Sequence, residues 1–331
     1  TQGMKFDQAM VTNSICSPSR ATLLTGKYSH KNGVFKLNET FDGSQQTLPK
    51  LLKQSGYQTA IIGKWHLRSV PTGFDHFSVM DGQGQYFDCP FKERKANGKV
   101  GLMPSKGYVT DVITDKALAW LKQRPSDKPF YLMIHHKAPH GPHDPAQRHK
   151  NLFKNTTLPE PPTLLDDYEG RAPVAIADRL NWSRLLLCDQ PYRQYREIGK
   201  HRTGNRAHDT RMMYQAFMKG YLRLIASLDE NVGRVLDYIE ESGLSENTLV
   251  IYASDNGFFN GEHGFYNKMW MHEPSLRIPL VAKGPGIKPG SKNEEFASIM
   301  DISPTMLDYA GCEIPEDIQG QTLRPLLEGK G

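Results

Sequence analysis

Two rhythms of apolar residues alternate along the chain. Short apolar runs bounded by Gly, Pro or polar residues read as buried strands at 58–62, 129–135, 248–253 and 278–282. Between them the spacing turns helical. Leu51 and Leu52 follow Thr47, a capping residue, and Pro49, and the pattern stops near Gly56. Val112, Ile113, Leu118 and Leu121 predict a helix over 111–122. Phe217, Leu224, Leu228, Val235 and Ile239 predict a long one over about 210–242, stopped by Gly243. Ser303 is expected to cap a last helix, with Pro304 at its first position and an end before Gly311. Strands and helices in alternation predict an α/β fold, a mainly parallel sheet sandwiched by helices. The rhythm fails at about 68–105 and 144–208, rich in proline and aromatics, and both read as irregular excursions. No internal repeat is visible.

Composition adds limits. The 331 residues, 38% hydrophobic, suffice for one large domain over 1–331. No apolar run reaches the roughly 18–20 residues of a membrane span. The formal net charge of +5 is scattered without a basic block, which suits an anionic substrate better than a nucleic acid. The four cysteines, Cys16, Cys89, Cys188 and Cys312, lack metal-finger spacing. Sequons stand at Asn38, Asn155 and Asn181.

Candidate chemistry gathers at loop–helix junctions and strand ends. Cys16-Ser17-Pro18-Ser19-Arg20 runs into Ala21-Thr22-Leu23-Leu24-Thr25-Gly26. Pro18 fits a first helical position, and Ser17 or Ser19 can cap free amides. Cys16 then sits at a positively polarised helix start with Arg20 one turn on, a corner that suits an anion. Gly63-Lys64-Trp65-His66 follows the strand at 58–62, and Pro139-His140-Gly141-Pro142 lies just beyond the strand at 129–135. That His-rich loop, with His136, could by itself hold a transition metal. Asp255-Asn256-Gly257 ends the strand at 248–253 and offers hard oxygen ligands for calcium or magnesium, or else an Asx turn.

The first of these stretches resembles, without a mismatch, the signature C-x-P-S-R-x-x-x-L-T-G of the type I, formylglycine-dependent sulfatases. Gly56-Tyr57-Gln58-Thr59 through Gly63-Lys64-Trp65-His66 is similar to their second signature. The resemblance implies an alkaline-phosphatase-like fold and hydrolysis of a sulfate ester. It implies that Cys16 becomes formylglycine (3-oxoalanine) through a formylglycine-generating enzyme and serves as nucleophile and metal contact. Arg20 completes that motif, Lys64 would touch sulfate, His66 the hydrate hydroxyl, and His140 the leaving oxygen. Asp255 and Asn256 would bind calcium, magnesium being possible. Lys268, in K-x-x-x-x-E-x-x-x-R-x-P, resembles the last sulfate-binding lysine. His136 and His263, the latter in Gly261-Glu262-His263-Gly264, are weaker substrate candidates.

The stretch Gly82–Asp88, with Lys99 and Tyr108–Asp111, resembles carbohydrate sulfatases, including N-acetylglucosamine-6-sulfatases, and points to a sulfated sugar. The family completes its metal site with two aspartates on a strand upstream of the nucleophile and carries a smaller C-terminal sheet. Both are expected to lie outside this chain, which makes it a catalytic domain incomplete at each end. A phosphodiesterase of the same superfamily is one alternative; a weak or inactive scaffold that binds sulfated glycans is another. The family implies a periplasmic, secreted or lysosomal location.

Overall fold

A computed structural model describes residues 2–171 and 195–330. In chain order its main elements are β1 (Met4–Met10), α1 (Cys16–Thr25), α2 (Ser29–Asn32), α3 (Leu48–Gln54) and β2 (Gln58–Lys64). Then come β3 (His76–Met80), β4 (Phe91–Arg94), β5 (Val100–Met103), α4 (Val109–Gln123), β6 (Phe130–His135) and α5 (Arg206–Glu241). The rest are β7 (Val250–Ala253), β8 (Phe259–Asn260), β9 (Tyr266–Asn267), β10 (Leu280–Lys283), β11 (Lys292–Ser298) and α6 (Ile302–Tyr309). Cys188 and Asn181 lie outside the described residues. Among the described residues no helix is long and apolar enough to cross a membrane.

The described residues fall into two compact units. One lies within Thr1–His136, Gly233–Gly257 and Met269–Gly331, the other within Lys137–Val232 and Phe258–Lys268.

The first unit holds two sheets, ordered β11-β1-β10-β7 and β5-β4-β3-β2-β6. Parallel pairing joins β2 to both β3 and β6, and β1 to β11. Antiparallel pairing joins β3 to β4, β4 to β5, β1 to β10 and β10 to β7. The sheets are therefore mixed where apolar rhythm predicted mainly parallel. Part of the difference is the stretch 68–105, expected to be irregular, which returns on itself as β3, β4 and β5. Its hairpin strands are only four residues each, Phe91–Arg94 with one buried apolar residue and Val100–Met103 largely exposed, so they carry no apolar period to read. Residues 4–10, without a predicted element, alternate Met4 and Phe6 inward with Lys5 outward.

Two apolar clusters support these sheets. Leu24, Ile61, Trp65, Phe77, Val79 and Leu307 belong to one. Phe6, Ala9, Leu280, Ala282, Ala297 and Ile299 belong to the other. In the second unit α5 buries Met213, Tyr214 and Phe217 with Leu164, Tyr195 and Tyr266.

Helix starts differ from expectation in detail. Ser298, not Ser303, caps the helical turn that leads into α6, in a capping box with Asp301, while Ser303 Oγ donates to Leu23 O and Pro304 lies inside α6. At α1 the first residue is Cys16 and the N-cap is Ile15, with no side-chain cap. Ser17 is used elsewhere, and Ser19 Oγ is buried with no partner among the described residues. Thr47 does stand at the N-cap of α3, although its side chain makes no capping bond.

Candidate active site

Four element ends meet in the first unit. Gly63, at φ 108°, lies so close to β6 that a Cβ there would stand 2.0 Å from His135 O, so only glycine fits. In the register Gly63 pairs with His135, which sets Lys64 and His135 at the same edge. The start of α1 brings Cys16, and the turn after β7 brings Asp255 and Asn256.

Cys16 Sγ is buried between Lys64 Nζ, which donates to it at 3.5 Å, and Asn256 Oδ1 at 3.8 Å. Lys64 is 2% exposed and Arg20 8%. Arg20 Nε donates to Asp255 Oδ2 at 2.8 Å, and Lys64 Nζ lies 3.9 Å from the same oxygen. Arg20 NH1 donates to Lys64 O at 2.6 Å and to His135 Nδ1 at 3.0 Å. His135 Nδ1 also lies 3.1 Å from Lys64 O, so this ring nitrogen sits between the Arg20 guanidinium and that carbonyl. Burial, then the Arg20 charge, push the His135 pKa down to about 3, and the ring is neutral. Two buried cations, Arg20 and Lys64, thus lie at the Asp255 carboxylate close to the thiol. Buried positive charge at this place favours an anion beside Cys16.

His66 takes a left-handed backbone, φ 55°, and its carbonyl accepts from Ser17 Oγ at 2.7 Å. That bond fastens His66 to the first turn of α1. His136 does not join the group. Its Nε2 is bonded to Thr114 Oγ1 at 3.0 Å on α4, and burial lowers its pKa to about 4. His135, which sequence reasoning passed over for its neighbour, is the histidine that touches Arg20. Its place at the end of a strand was the available signal.

Three candidates belong to the second unit. His140 Nδ1 donates to Gly141 O at 2.7 Å. Lys268 is buried just after β9. His263 is tied to a distant segment of the chain, Nδ1 to Asp166 Oδ2 at 2.8 Å and N–H to Thr163 Oγ1 at 2.9 Å. Back in the first unit, Tyr86 and Tyr108 of the sugar-suggesting stretch are buried and stacked, centroids 5.7 Å apart. They serve packing.

Asn256 Nδ2 donates to Gly257 O at 2.7 Å, so its Oδ1 faces the site beside the Asp255 carboxylate. These oxygens fit a hard cation in kind. In number they fall short of the six to eight that calcium takes, and among the described residues no three His, Cys, Asp or Glu gather as ligands.

The family model for sulfatases matches residues 1–312, and the chain belongs to the sulfatase family, with its alkaline-phosphatase-like fold. More particularly, it is 42% identical to an N-acetylglucosamine-6-O-sulfatase of Bacteroides thetaiotaomicron, across all of this chain and 65% of that relative. It is 28% identical to the N-acetylglucosamine-6-sulfatase of Homo sapiens, across 99% of this chain and 59% of that relative. The chain thus spans less than two thirds of the length of these relatives. A solved structure of a protein in complex with its substrate D-glucosamine-2-N,6-O-disulfate superposes on it with a TM-score of 0.91 at 42% identity, covering all of this chain and 74% of the other.

Proposed function

We propose that the protein hydrolyses a sulfate ester on a sulfated carbohydrate, at the 6-oxygen of a glucosamine residue. The observation that carries this is the buried contact of Lys64 Nζ with Cys16 Sγ at 3.5 Å, at the start of α1. The names of the bacterial and human relatives support the sugar and the position.

A sulfate ester resists attack because its outer oxygens are negative. A buried ammonium beside the reacting atom offsets that charge where little water screens it, which favours the transition state over the ground state. Converted to formylglycine by a formylglycine-generating enzyme, residue 16 would supply a hydrated aldehyde as nucleophile. Asn256 Oδ1 and Lys64 Nζ fit oxygen in place of the sulfur. Lys64 neutralises the sulfate oxygens, and the dipole of α1 adds to its field. Arg20 holds Asp255, His135 and the Lys64 carbonyl, and so acts as a positioning residue.

His66 exchanges the proton of the residue-16 hydroxyl. His140, with Nδ1 committed to Gly141 O, gives a proton from Nε2 to the departing sugar alcohol. Lys268 takes sulfate, and His263 contacts the sugar. Asp255 and Asn256 would offer two hard oxygens to calcium, or magnesium, and such an ion would lower the charge on the sulfate. Sulfated glycans are met outside the cytoplasm, so we place the protein in the periplasm, a secretory space or the lysosome.

The test is sulfate release from 6-O-sulfated N-acetylglucosamine by protein co-expressed with a formylglycine-generating enzyme, with conversion read from the mass of the peptide carrying residue 16. Release by the wild type and none by Cys16→Ser is expected. A converted wild type that releases no sulfate would refute the reading.

A further inference from the structure

Met271 is 90% exposed and Met269 55%, with Trp270 between them. The Trp270 ring meets His272 edge-on, centroids 5.6 Å apart. The segment is nevertheless held firmly. Met269 has φ 87°, a left-handed backbone that a methionine adopts only under outside constraint. Its N–H donates to Ser14 O and to Ser14 Oγ, each at 3.1 Å. Trp270 N–H donates to Ser275 Oγ at 3.3 Å, and Ser275 Oγ is itself bonded to Ser14 Oγ. On the other side Gly257 N–H donates to Ser275 O at 2.9 Å. A Cβ on Gly257 would stand 2.4 Å from Pro274 O, so the two backbones are pressed together.

Ser14 lies two residues before Cys16, and Gly257 directly follows Asn256. The segment is therefore clamped to both chain pieces whose side chains meet at Cys16 Sγ and Asn256 Oδ1. Two exposed methionines and the half-buried indole between them are thus held by backbone bonded to the chain pieces that carry Cys16 and Asn256. Exposed apolar surface next to a site points to a ligand.

We infer that Met269, Trp270 and Met271 form a subsite for the sugar ring adjacent to the one that bears the ester, with the ring's C–H face laid on them. The inference rests on the sulfate-ester reading of the Cys16 site. Charge selects the occupant. From Met269 to Met271 the surface is neutral and apolar, so it suits the uncharged face of a pyranose, while the anionic ester belongs with Lys64.

The test compares kcat/KM for 6-O-sulfated N-acetylglucosamine and for a disaccharide carrying the same residue at the reacting position. Burying one such side chain predicts that the wild type prefers the disaccharide by a factor of about ten. Met271→Ala and Trp270→Ala should lose most of that preference. Met271 is so exposed that its replacement leaves folding intact. An equal preference in wild type and both variants overturns the subsite. Calorimetric binding of both sugars to Cys16→Ser protein reads the same preference without turnover. If binding shows it and converted wild type releases no sulfate, the proposed reaction fails and the subsite stands. If binding shows none, and phosphatidylcholine vesicles retain the wild type but not Met271→Ala, the segment is a membrane contact and the inference is wrong.

Discussion

Arg20 is the residue whose replacement should be felt most widely. Its guanidinium makes three charge-assisted bonds, to Asp255, to the Lys64 carbonyl and to His135, joining α1 to the ends of β2 and β6 and to the turn after β7. Arg20→Lys keeps a charge and loses the planar fork, so at most one of the three survives. With bonds of this kind worth roughly 1.5–3 kcal/mol each, a loss of about 3–5 kcal/mol is expected once partial rescue by water is allowed for. For a chain of this size that amounts to a fall in Tm of roughly 4–7 °C, read by calorimetry or near-ultraviolet circular dichroism. Turnover should fall further than stability explains. Below the melting range kcat is expected to drop by about 100-fold or more, because Lys64 and Asp255 lose their fixed spacing. A double-mutant cycle of Arg20→Lys with Asp255→Asn should show a coupling above about 1 kcal/mol. Arg20→Lys that melts and turns over like the wild type would refute the idea that the guanidinium assembles the site.

Other expectations follow from the same geometry. Lys64→Ala should lower kcat by about 1000-fold with converted residue 16 intact, measured as sulfate release; a loss below about ten-fold would count against Lys64 as the charge-neutralising group. Calcium should raise the Tm of the natural protein and fail to do so in Asp255→Ala, by thermal melts with and without chelator; an unchanged response would remove Asp255 from the ligand set. The pH response follows from buried histidines. His135, His136 and His143 are all held below the ordinary 6.5 by burial, to about 3, 4 and 3. The unfolded chain takes up protons below about 6.5 that the folded chain refuses, so stability present above that pH declines as pH falls toward 4. Each contributes up to about 1.4 kcal/mol per pH unit, and His136→Gln should flatten the slope of Tm between pH 6.5 and 5. A variant whose slope matches the wild type would show His136 to be solvated.

The cationic half of the site was legible because it lies in short, contiguous motifs. Cys16 and Arg20 are one helical turn apart and Lys64 closes an apolar strand, and it was the resemblance of both stretches to the sulfatase signatures that singled them out. Asp255 and Asn256 were equally readable at the end of β7. What escaped were partnerships set by long-range register. His135 matters through pairing with Gly63 seventy-two positions earlier, and His136, chosen in its place, turns to Thr114. Ser17 was expected to cap α1, yet the higher demand comes from the left-handed His66 carbonyl. The mixed character of the sheets was hidden for a related reason. Hairpin strands such as β4 and β5 are defined by their neighbours' hydrogen bonds, and their exposed residues show no period.

One consequence of the Gly63–His135 contact reaches beyond the site itself. The NH1 group of Arg20 is satisfied at once by an oxygen on β2 and a nitrogen on β6. A slip of one residue between these strands would turn Lys64 to the opposite face and pull those two acceptors apart. A misaligned sheet is then catalytically silent, however compact it is. Sulfate release can accordingly serve as a clock for correct strand alignment during refolding, reporting an event that bulk secondary-structure signals pass over.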